Sequence, residues 1–276
     1  MSHVFVIQNP NLANIHIPET QQFFRLPEKL SGKFIRVPVA ADFRLPEHLA
    51  LELNQAQCDF ALLPDIAFDQ IKLIVSDMDS TLITIECIDE IAAQAGLKDQ
   101  VSAITERAMR GELDFEQSLR SRVALLAGLP ESVLQKVYDT ALQLTDGAEF
   151  LLQQCHKHGV TFVLVSGGFT FFTDKLKTRL GFEHAFANVF EVEKDVLTGR
   201  VLGRVIDAQA KADILNEFKQ KLGGYTVAIG DGANDIPMIQ AADFGMAFHA
   251  KPKTQAAAKL TINYNGLDAL CNWFQV

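Results

Sequence analysis

The stretch Ile71-Lys72-Leu73-Ile74-Val75-Ser76-Asp77-Met78-Asp79-Ser80-Thr81 decides the fold, because an apolar run leads there into two aspartates and two hydroxyl residues. The apolar part is too short for a typical helix and predicts a buried strand. Side chains at positions i and i+2 point to the same side, so Asp77 and Asp79 should face one crevice. Two carboxylates this close repel, so either one is protonated or a cation lies between them. The alternative is an ordinary surface turn or helix cap, where Asp and Ser are common.

Length and composition set the broad class. A chain of 276 residues has room for one large domain or two modest ones, and its 48% apolar content predicts a globular protein with a sizeable core. The net charge of −9 argues against nucleic acid as the main partner, and an anionic substrate would need a local positive pocket. No secretory signal and no bilayer-length apolar run is recognisable, so no membrane partner is expected. Cysteines 58, 87, 155 and 271 form no C-x-x-C pair and predict reduced, buried thiols in a cytoplasmic protein.

Residues 1–69 are predicted to form a small, separate α+β module of unknown role. Val4–Ile7 and Phe34–Val37 have the composition of strands, and His48–Asn54 that of a helix. The pentapeptide Phe-Arg-Leu-Pro-Glu occurs at 24–28 and again at 43–47. Proline at a first helical position followed by an acid is a favourable helix start, so the repeat predicts two helix starts, or is chance. No residue of this module is predicted to be catalytic.

The rest of the chain predicts an α/β protein with a doubly wound parallel sheet. Strand-like and helical segments alternate through residues 70–84 and 145–276, which indicates a parallel sheet covered on both faces. Residues 85–144 are helical in pattern throughout and predict a small helical cap inserted after the first strand. A hairpin is expected over Val189–Val205, with its turn at Thr198-Gly199.

Three polar clusters follow predicted strands: Asp77–Thr81, Ser166–Gly168 and Asp231–Asp235. Ligands of open parallel sheets bind beyond the carboxyl ends of the strands, so these clusters should meet in one crevice. The glycines of Ser166-Gly167-Gly168 let backbone N–H groups approach an anion at a helix start, and the hydroxyl can donate another hydrogen bond. A tight strand–helix turn without function is the alternative for this cluster.

The third cluster indicates a metal ion. Asp231, Asn234 and Asp235 add two carboxylates and an amide to a site that already holds two acids, and such negative charge requires a cation. All these ligands offer oxygen, which suits Mg²⁺. Lys211 is predicted at a helix start, where a cation opposes the helix dipole, so contact with a phosphate and a neighbouring Asp would explain its placement. An exposed, solvated lysine is the alternative.

These residues together resemble the motifs of the haloacid dehalogenase-like hydrolases: Asp77-Met78-Asp79-Ser80-Thr81, then Ser166, then Lys211, then Gly230-Asp231-Gly232-Ala233-Asn234-Asp235. The predicted cap carries Glu86 and Met109-x-Gly111-x-x-x-Phe115-x-x-Ser118-Leu119-x-x-Arg122-Val123, which resembles the members that hydrolyse phosphoserine. The resemblance runs from residue 71 to the C-terminus and departs from the pattern at no motif position. It implies Mg²⁺-dependent hydrolysis of O-phospho-L-serine through an aspartyl phosphate, as the last step of serine biosynthesis.

The resemblance also implies residue roles. Asp77 is the implied nucleophile that attacks phosphorus. Asp79 is the implied general acid and base, which protonates the departing oxygen and then activates water. Mg²⁺ is implied to be held by Asp77, the backbone carbonyl of Asp79 and Asp231, with Asp235 orienting its waters or Lys211. The implied phosphate cradle consists of Ser166, Gly167, Lys211 and Asn234.

Substrate choice is implied to rest on the cap. Glu86 suits the substrate ammonium, and Arg122 can grip its carboxylate through two hydrogen bonds. Phe115 and Met109 are implied to exclude water above the site. Without the resemblance, Glu86 could be an acid in a first helical turn and Arg122 a solvated surface residue. Two other functions stay open: a related phosphatase for another small phosphomonoester, and a phospho-accepting signalling module.

Overall fold

The strand expected around residue 74 is the centre of a seven-stranded sheet in the computed structural model, which describes residues 2–276. The strand order is β10-β9-β8-β4-β5-β6-β7, and all neighbours are parallel except β6 and β7, so the predicted fold class is confirmed. The strands are β4 Ile71–Ser76, β5 Thr161–Phe169, β6 His184–Glu193, β7 Val196–Leu202, β8 Tyr225–Gly230, β9 Phe244–Phe248 and β10 Leu260–Ile262. The chain builds outward from β4 in both directions, so the strand order reverses there and opens a crevice beside β4.

Helices cover both faces of this sheet, which explains why β4 is apolar at successive positions. Ile74 packs with Leu151 and Phe172 on one face, whereas Leu73 and Val75 pack with Leu215 and Met238 on the other. The helices of the core are α7 Ala148–His158, α8 Thr170–Leu180, α9 Ala208–Leu222, α10 Ile236–Ala241, α11 Pro252–Ala257 and α12 Ala269–Trp273. Within residues 2–276, no helix combines the length and apolarity needed to cross a membrane.

The segment between β4 and α7 is helical. It contains α3 Cys87–Gln94, α4 Lys98–Met109, α5 Phe115–Ala124 and α6 Ser132–Thr140. The two connections to the core run side by side, because Thr84 N–H donates to Gln143 O and Thr145 N–H donates to Leu82 O, both at 3.0 Å. Helix α5 begins with a reciprocal cap, in which the Asp114 side chain accepts from Gln117 N–H and the Gln117 side chain accepts from Asp114 N–H.

The predicted hairpin forms, but its turn lies elsewhere. Strands β6 and β7 are connected at Lys194-Asp195, whose φ angles of 52° and 61° are left-handed. Thr198-Gly199 lies inside β7, where Gly199 takes a φ of 82°. Asp tolerates the left-handed region better than most residues, and two successive left-handed positions suit a tight hairpin turn. The placement of the turn from the Thr-Gly dipeptide was therefore wrong.

The N-terminal residues form a separate three-stranded antiparallel sheet of order β2-β1-β3, with β1 His3–Gln8, β2 Phe34–Val39 and β3 Asp59–Pro64. Helices α1 Pro18–Phe24 and α2 Glu47–Gln55 accompany it. The second pentapeptide copy starts α2, as predicted. The first copy instead ends α1, because Arg25 adopts a left-handed φ of 54°. Of the four cysteines, all are buried and unpaired, as the sequence predicted.

Asp59 links the N-terminal sheet to the core. Its carboxylate is 2% exposed and accepts from Asn263 N–H at 2.7 Å, Tyr264 N–H at 3.2 Å and Asn265 Nδ2 at 2.7 Å, just beyond β10. Burial raises the pKa of Asp59, while the hydrogen bonds from the Asn265 side chain and the backbone lower it by less. The buried carboxylate therefore stabilises the junction by accepting from three buried hydrogen-bond donors.

Replacing this carboxylate should loosen the junction. Asp59→Ala is expected to lower the free energy of unfolding by about 2–3 kcal/mol, because each buried donor left without a partner costs about 1–3 kcal/mol and part of that is offset by removing a buried acid. Urea unfolding measures the change. Asp42→Ala, at an exposed position of the same module, is the control and should stay within about 0.5 kcal/mol. Equal stability of the two variants would contradict the role given to Asp59.

Candidate active site

The carboxyl ends of three adjacent strands bring the polar clusters together. Asp77 follows β4, Asp231 follows β8 on one side of it, and Ser166 lies near the end of β5 on the other. One carboxylate oxygen from each of Asp77, Asp231 and Asp235 lies within 4.8 Å of the others. Side chains 154 residues apart in sequence thus meet at one edge of the sheet, as parallel strands require.

The loop after β4 aims its two aspartates into the crevice. The Asp77 carboxylate accepts from Met78 N–H at 2.7 Å, and Ile83 N–H closes the loop onto Met78 O at 3.0 Å. Asp79 is extended, and Ser80 turns the chain with a left-handed φ of 54°. Asp79 Oδ1 also accepts a long hydrogen bond of 3.4 Å from Cys87 N–H at the start of the cap. Both carboxylates therefore occupy the crevice beside β4.

Lys211 lies inside the site and not on its surface. The side chain is fully buried, and Nζ lies 2.8 Å from Asp77 Oδ1 and 2.7 Å from Asp235 Oδ1. Burial alone lowers the pKa of Lys211, but the carboxylates of Asp235 and Asp77 together raise it above its usual value. The positive end of the α9 dipole is stabilised by a different residue. Asp207 is the N-cap of α9, and its side chain accepts from Ala210 N–H at 2.8 Å. Lys211 therefore stays charged between two acids.

Burial and mutual repulsion shift the acids of the site. The pKa of Asp77 is raised well above its usual value by burial and then by Asp235, although Lys211 opposes this. Burial and the nearby Glu86 raise the pKa of Asp79 to about 7. The pKa of Asp231 is raised to about 6 by burial and by Asp235. Removing that repulsion calls for more positive charge than Lys211 supplies, and clustered carboxylate oxygens suit a hard divalent cation.

The Ser166-Gly167-Gly168 segment is an irregular end of β5, where the register with β6 shifts, and not a separate turn. Ser166 Oγ accepts from Gly168 N–H at 2.8 Å, which leaves the hydroxyl proton to be donated elsewhere. A side-chain Cβ at Gly168 would lie 2.8 Å from Met78 Cε and 2.9 Å from Asp79 Oδ2, so a larger residue there would displace the ends of these two side chains. Asn188, which the sequence did not single out, holds the segment by donating to Gly167 O at 2.7 Å.

The cap closes one side of a cavity of about 520 Å³ above these acids. The Phe115 ring approaches the core so closely that a Cβ at Gly167 would lie 3.0 Å from its Cζ. Met109 lines the mouth but is 70% exposed, so it does not cover the site in this structure. The predicted residues that line the cavity are Asp77, Asp79, Glu86, Met109, Phe115, Arg122, Gly167, Asp231 and Asn234.

Opposite charges face this cavity from the cap. Glu86 accepts from Ser80 Oγ at 2.7 Å, and partial burial raises its pKa, although the residue as a whole is exposed. Burial lowers the pKa of Arg122, while Asp89 and Glu86 oppose that change. The Arg122 Nε bonds only weakly, at 3.4 Å, to Ser118 O. The two charges are thus available to a ligand that carries both signs.

Lys251 also lines the cavity and was missed in the sequence. The positive charge of Lys251 lowers the pKa of Glu86. The signal that could have found it is the one used for the acids, because Lys251 comes three residues after β9 ends at Phe248. In this fold class, polar segments after every strand, and not only the acidic ones, can therefore border the ligand site.

Acidic side chains clustered at the carboxyl ends of parallel strands, with a helical segment between β4 and α7, are typical of a class of hydrolase, and comparison with known proteins agrees. The family model of the haloacid dehalogenase-like hydrolases matches residues 74–240, and a second model with the same description matches 208–274. The chain belongs to the haloacid dehalogenase-like hydrolases, so the resemblance inferred from the motifs is confirmed.

Several relatives of this chain within that family are phosphoserine phosphatases. The phosphoserine phosphatase of Haemophilus influenzae is 49% identical over 80% of this chain and 69% of its own. The crystal structure of a probable phosphoserine phosphatase from Vibrio cholerae, in unliganded form, matches with a TM-score of 0.80 and 40% identity over 99% of this chain and 85% of its own. A phospho-aspartyl intermediate analogue of a phosphoserine phosphatase matches with a TM-score of 0.69 and 41% identity over 74% of this chain and 99% of its own.

Proposed function

We propose that this protein is a Mg²⁺-dependent phosphoserine phosphatase, hydrolysing O-phospho-L-serine to L-serine and phosphate. The observation that carries the proposal is the arrangement of charges in one cavity, where Asp77 is paired with buried Lys211 and the oppositely charged Glu86 and Arg122 line the cap side. The phosphate ester belongs near the first pair, and the ammonium and carboxylate of the substrate belong near the second. The assay is phosphate release from a panel of small phosphomonoesters, with and without Mg²⁺.

In this proposal Asp77 attacks phosphorus and forms an aspartyl phosphate, which water then hydrolyses. Support comes from the relative solved as an analogue of a phospho-aspartyl intermediate. Asp79 has the raised pKa of about 7 that a general acid needs near neutral pH. It protonates the leaving serine oxygen, and the carboxylate so formed accepts a proton from the attacking water.

The phosphate oxygens are received by the remaining polar groups of the crevice. Lys211 supplies a fixed positive charge beside the nucleophile, and the Ser166 hydroxyl proton is free to be donated. Asn234 lines the cavity near Asp231 and can donate from its amide. Such preorganised donors stabilise charge in the transition state better than water can, because they need not reorient.

The residues that would hold Mg²⁺ are Asp77, Asp231 and the backbone carbonyl of Asp79, with Asp235 orienting the ion's waters or Lys211. The fit rests on the donor set, in which carboxylate oxygens of Asp77, Asp231 and Asp235 lie within 4.8 Å of each other and no nitrogen or sulfur ligand is among them. When bound, the ion would neutralise charge on the phosphate oxygens. Asp235 already accepts from Lys211 and from Gly232 N–H at 3.0 Å, which suits it to an orienting role.

The wider parts of the proposal follow from this activity. Residues 70–84 and 145–276 act as the catalytic core, residues 85–144 as its cap, and residues 1–69 as a separate module. The reaction is the last step of serine biosynthesis. Four buried, unpaired thiols support a reducing compartment such as the cytoplasm.

Arg122 tests the substrate assignment. Arg122→Ala is expected to weaken transition-state binding of phosphoserine by about 1.5–3 kcal/mol, because a charged hydrogen bond is lost. Phosphoethanolamine lacks the carboxylate, so its kcat/KM should change little, and the preference between the two substrates should shrink accordingly. Arg107→Ala, which removes an exposed arginine of α4 paired with Glu112, is the control. An unchanged preference in Arg122→Ala would contradict the carboxylate role.

A further inference from the structure

The cap is joined by backbone hydrogen bonds to the outermost strand of the core sheet. Between α5 and α6, Gly128 N–H donates to Leu197 O and Leu197 N–H donates to Leu129 O, each at 2.9 Å. Glu131 N–H donates to Asp195 O at 2.8 Å in the hairpin turn. Leu197 is 1% exposed. The cap loop thus covers the edge of β7 like an added strand, and this side of the cap continues the core sheet.

Helix α5 rests on the same strand through Gly199. A Cβ at this position would lie 2.8 Å from Ala127 Cβ, 3.2 Å from Ala124 O and 3.3 Å from Ala124 Cα. The left-handed φ of 82° adds a second reason for glycine. One turn earlier on α5, Arg120 Nη1 donates to Val201 O at 3.2 Å. The end of α5 therefore contacts the backbone of β7 directly, within about one helical turn of Arg122.

Helix α4 is attached much more weakly. Its one buried residue is Val101. The loop that leads from it to α5 is held by Arg107 and Arg110, whose ion pairs with Glu112 are about half exposed and contribute little. Met109 is exposed at the tip. The two helices that border the cavity mouth therefore differ in what holds them: α5 contacts the core sheet directly, whereas α4 packs mainly on the neighbouring helices α3 and α5 and has one fully buried residue.

We infer that the β6–β7 hairpin is a docking platform that fixes α5 on the core, and that Gly199 is a positioning residue for substrate recognition. The side chains it positions are Phe115 and Arg122, both on α5 and both facing the cavity. Movement at the cavity mouth is then confined to α4 and the loop 109–114, while Arg122 keeps one place relative to Asp77. The inference rests on the proposed function in that it takes Arg122 to bind the substrate carboxylate.

The kinetic test compares two glycines that share a left-handed backbone. Gly199→Ala pushes a Cβ into α5, whereas Gly203→Ala, at φ 70°, meets no atom within 4 Å. A misplacement near 1 Å can cost on the order of 10²-fold in rate, so Gly199→Ala should lower kcat/KM for phosphoserine by roughly 10- to 100-fold. Turnover of p-nitrophenyl phosphate, which has no ammonium or carboxylate to be held by the cap, should fall much less. Gly203→Ala should leave both activities near the wild-type level.

Hydrogen exchange tests the docking platform independently of the assignment of phosphoserine as the substrate. Hydrogen exchange of the wild-type protein should show slow amides in α5 and fast ones in α4, and Gly199→Ala should speed exchange in α5 while Gly203→Ala does not. Adding Ala127→Gly to Gly199→Ala removes the nearest clash and should restore part of the protection and of the phosphoserine activity. Exchange in α5 as fast as in α4, or equal effects of the two glycine variants, would overturn the inference. Failure of the wild-type protein to hydrolyse phosphoserine would instead overturn the proposed function, and the exchange experiment would still decide the platform.

Discussion

Asp77→Asn is expected to abolish phosphate release, lowering kcat by a factor on the order of 10⁴–10⁶, as removal of a catalytic nucleophile does in other hydrolases. The amide is nearly isosteric with the carboxylate, so it can still accept the 2.7 Å hydrogen bond from Met78 N–H. It lacks the charge needed to attack phosphorus and form the acyl phosphate. Because Lys211 keeps its ion pair with Asp235 at 2.7 Å, the neutral side chain should not unfold the protein. Phosphate release from phosphoserine in Mg²⁺ measures the loss, and circular dichroism checks the fold.

The control for this variant lies at the other end of the same strand. Asp69 is exposed just before β4, and Asp69→Asn should retain wild-type turnover. Borohydride reduction of the wild-type enzyme during turnover should convert the phosphorylated residue to homoserine at position 77 only. Robust turnover by Asp77→Asn, or a label on another residue, would refute the nucleophile assignment. A stable acyl phosphate without turnover would favour the signalling alternative over a phosphatase.

The parts of the fold that the sequence predicted are those that local pattern determines. The apolar run of β4 ends abruptly in polar residues, and the same change follows β8. Because parallel strands end at one edge of a sheet, such endings predict a shared crevice without any knowledge of distance. The burial of Lys211 was not predictable in this way, since its position in α9 is also compatible with exposure. Its ion pairs with Asp77 and Asp235 depend on the packing of α9 against β4 and against residues 233–235.

The elements that the sequence did not predict depend on contacts between distant segments. Strand β3, Asp59–Pro64, was missed because it ends in proline, and its pairing with β1 is what makes it a strand. Thr198-Gly199 has the composition of a turn, but Gly199 is needed where α5 crosses β7. A glycine signals that a Cβ is not tolerated, and sequence alone does not say whether a turn or a close neighbour excludes it. The position of the cap on the hairpin therefore depends on a contact between distant segments, which the local sequence does not specify.

Lys211→Met is expected to lower the free energy of unfolding by about 3–5 kcal/mol, because breaking a buried ion pair leaves charges without compensation. The lysine is fully buried between Asp77 and Asp235, at 2.8 Å and 2.7 Å. Methionine fills a similar volume, so packing is largely kept and the loss is electrostatic. Activity should fall as well, because the same ammonium group lies 2.8 Å from the proposed nucleophile Asp77. Urea unfolding is measured in the presence of a chelator, so that bound metal does not contribute to the free energy of unfolding.

The matched control is the same substitution on the same helix. Lys219 pairs with Asp243 at 3.0 Å, but both side chains are about one-third exposed, so Lys219→Met should cost only about 0–1 kcal/mol.

The pH dependence of stability supplies a second check. Lys211 lowers the pKa of Asp77, and its removal should raise that pKa further above the unfolded value. A folded-state pKa that is raised destabilises the fold progressively as pH rises through the interval between the two values. The deficit of Lys211→Met should therefore be largest at neutral pH and shrink towards pH ~4, near the usual pKa of an aspartate. Equal costs for the two lysines, or a deficit that does not change with pH, would show that Lys211 is not the charge that holds these acids together.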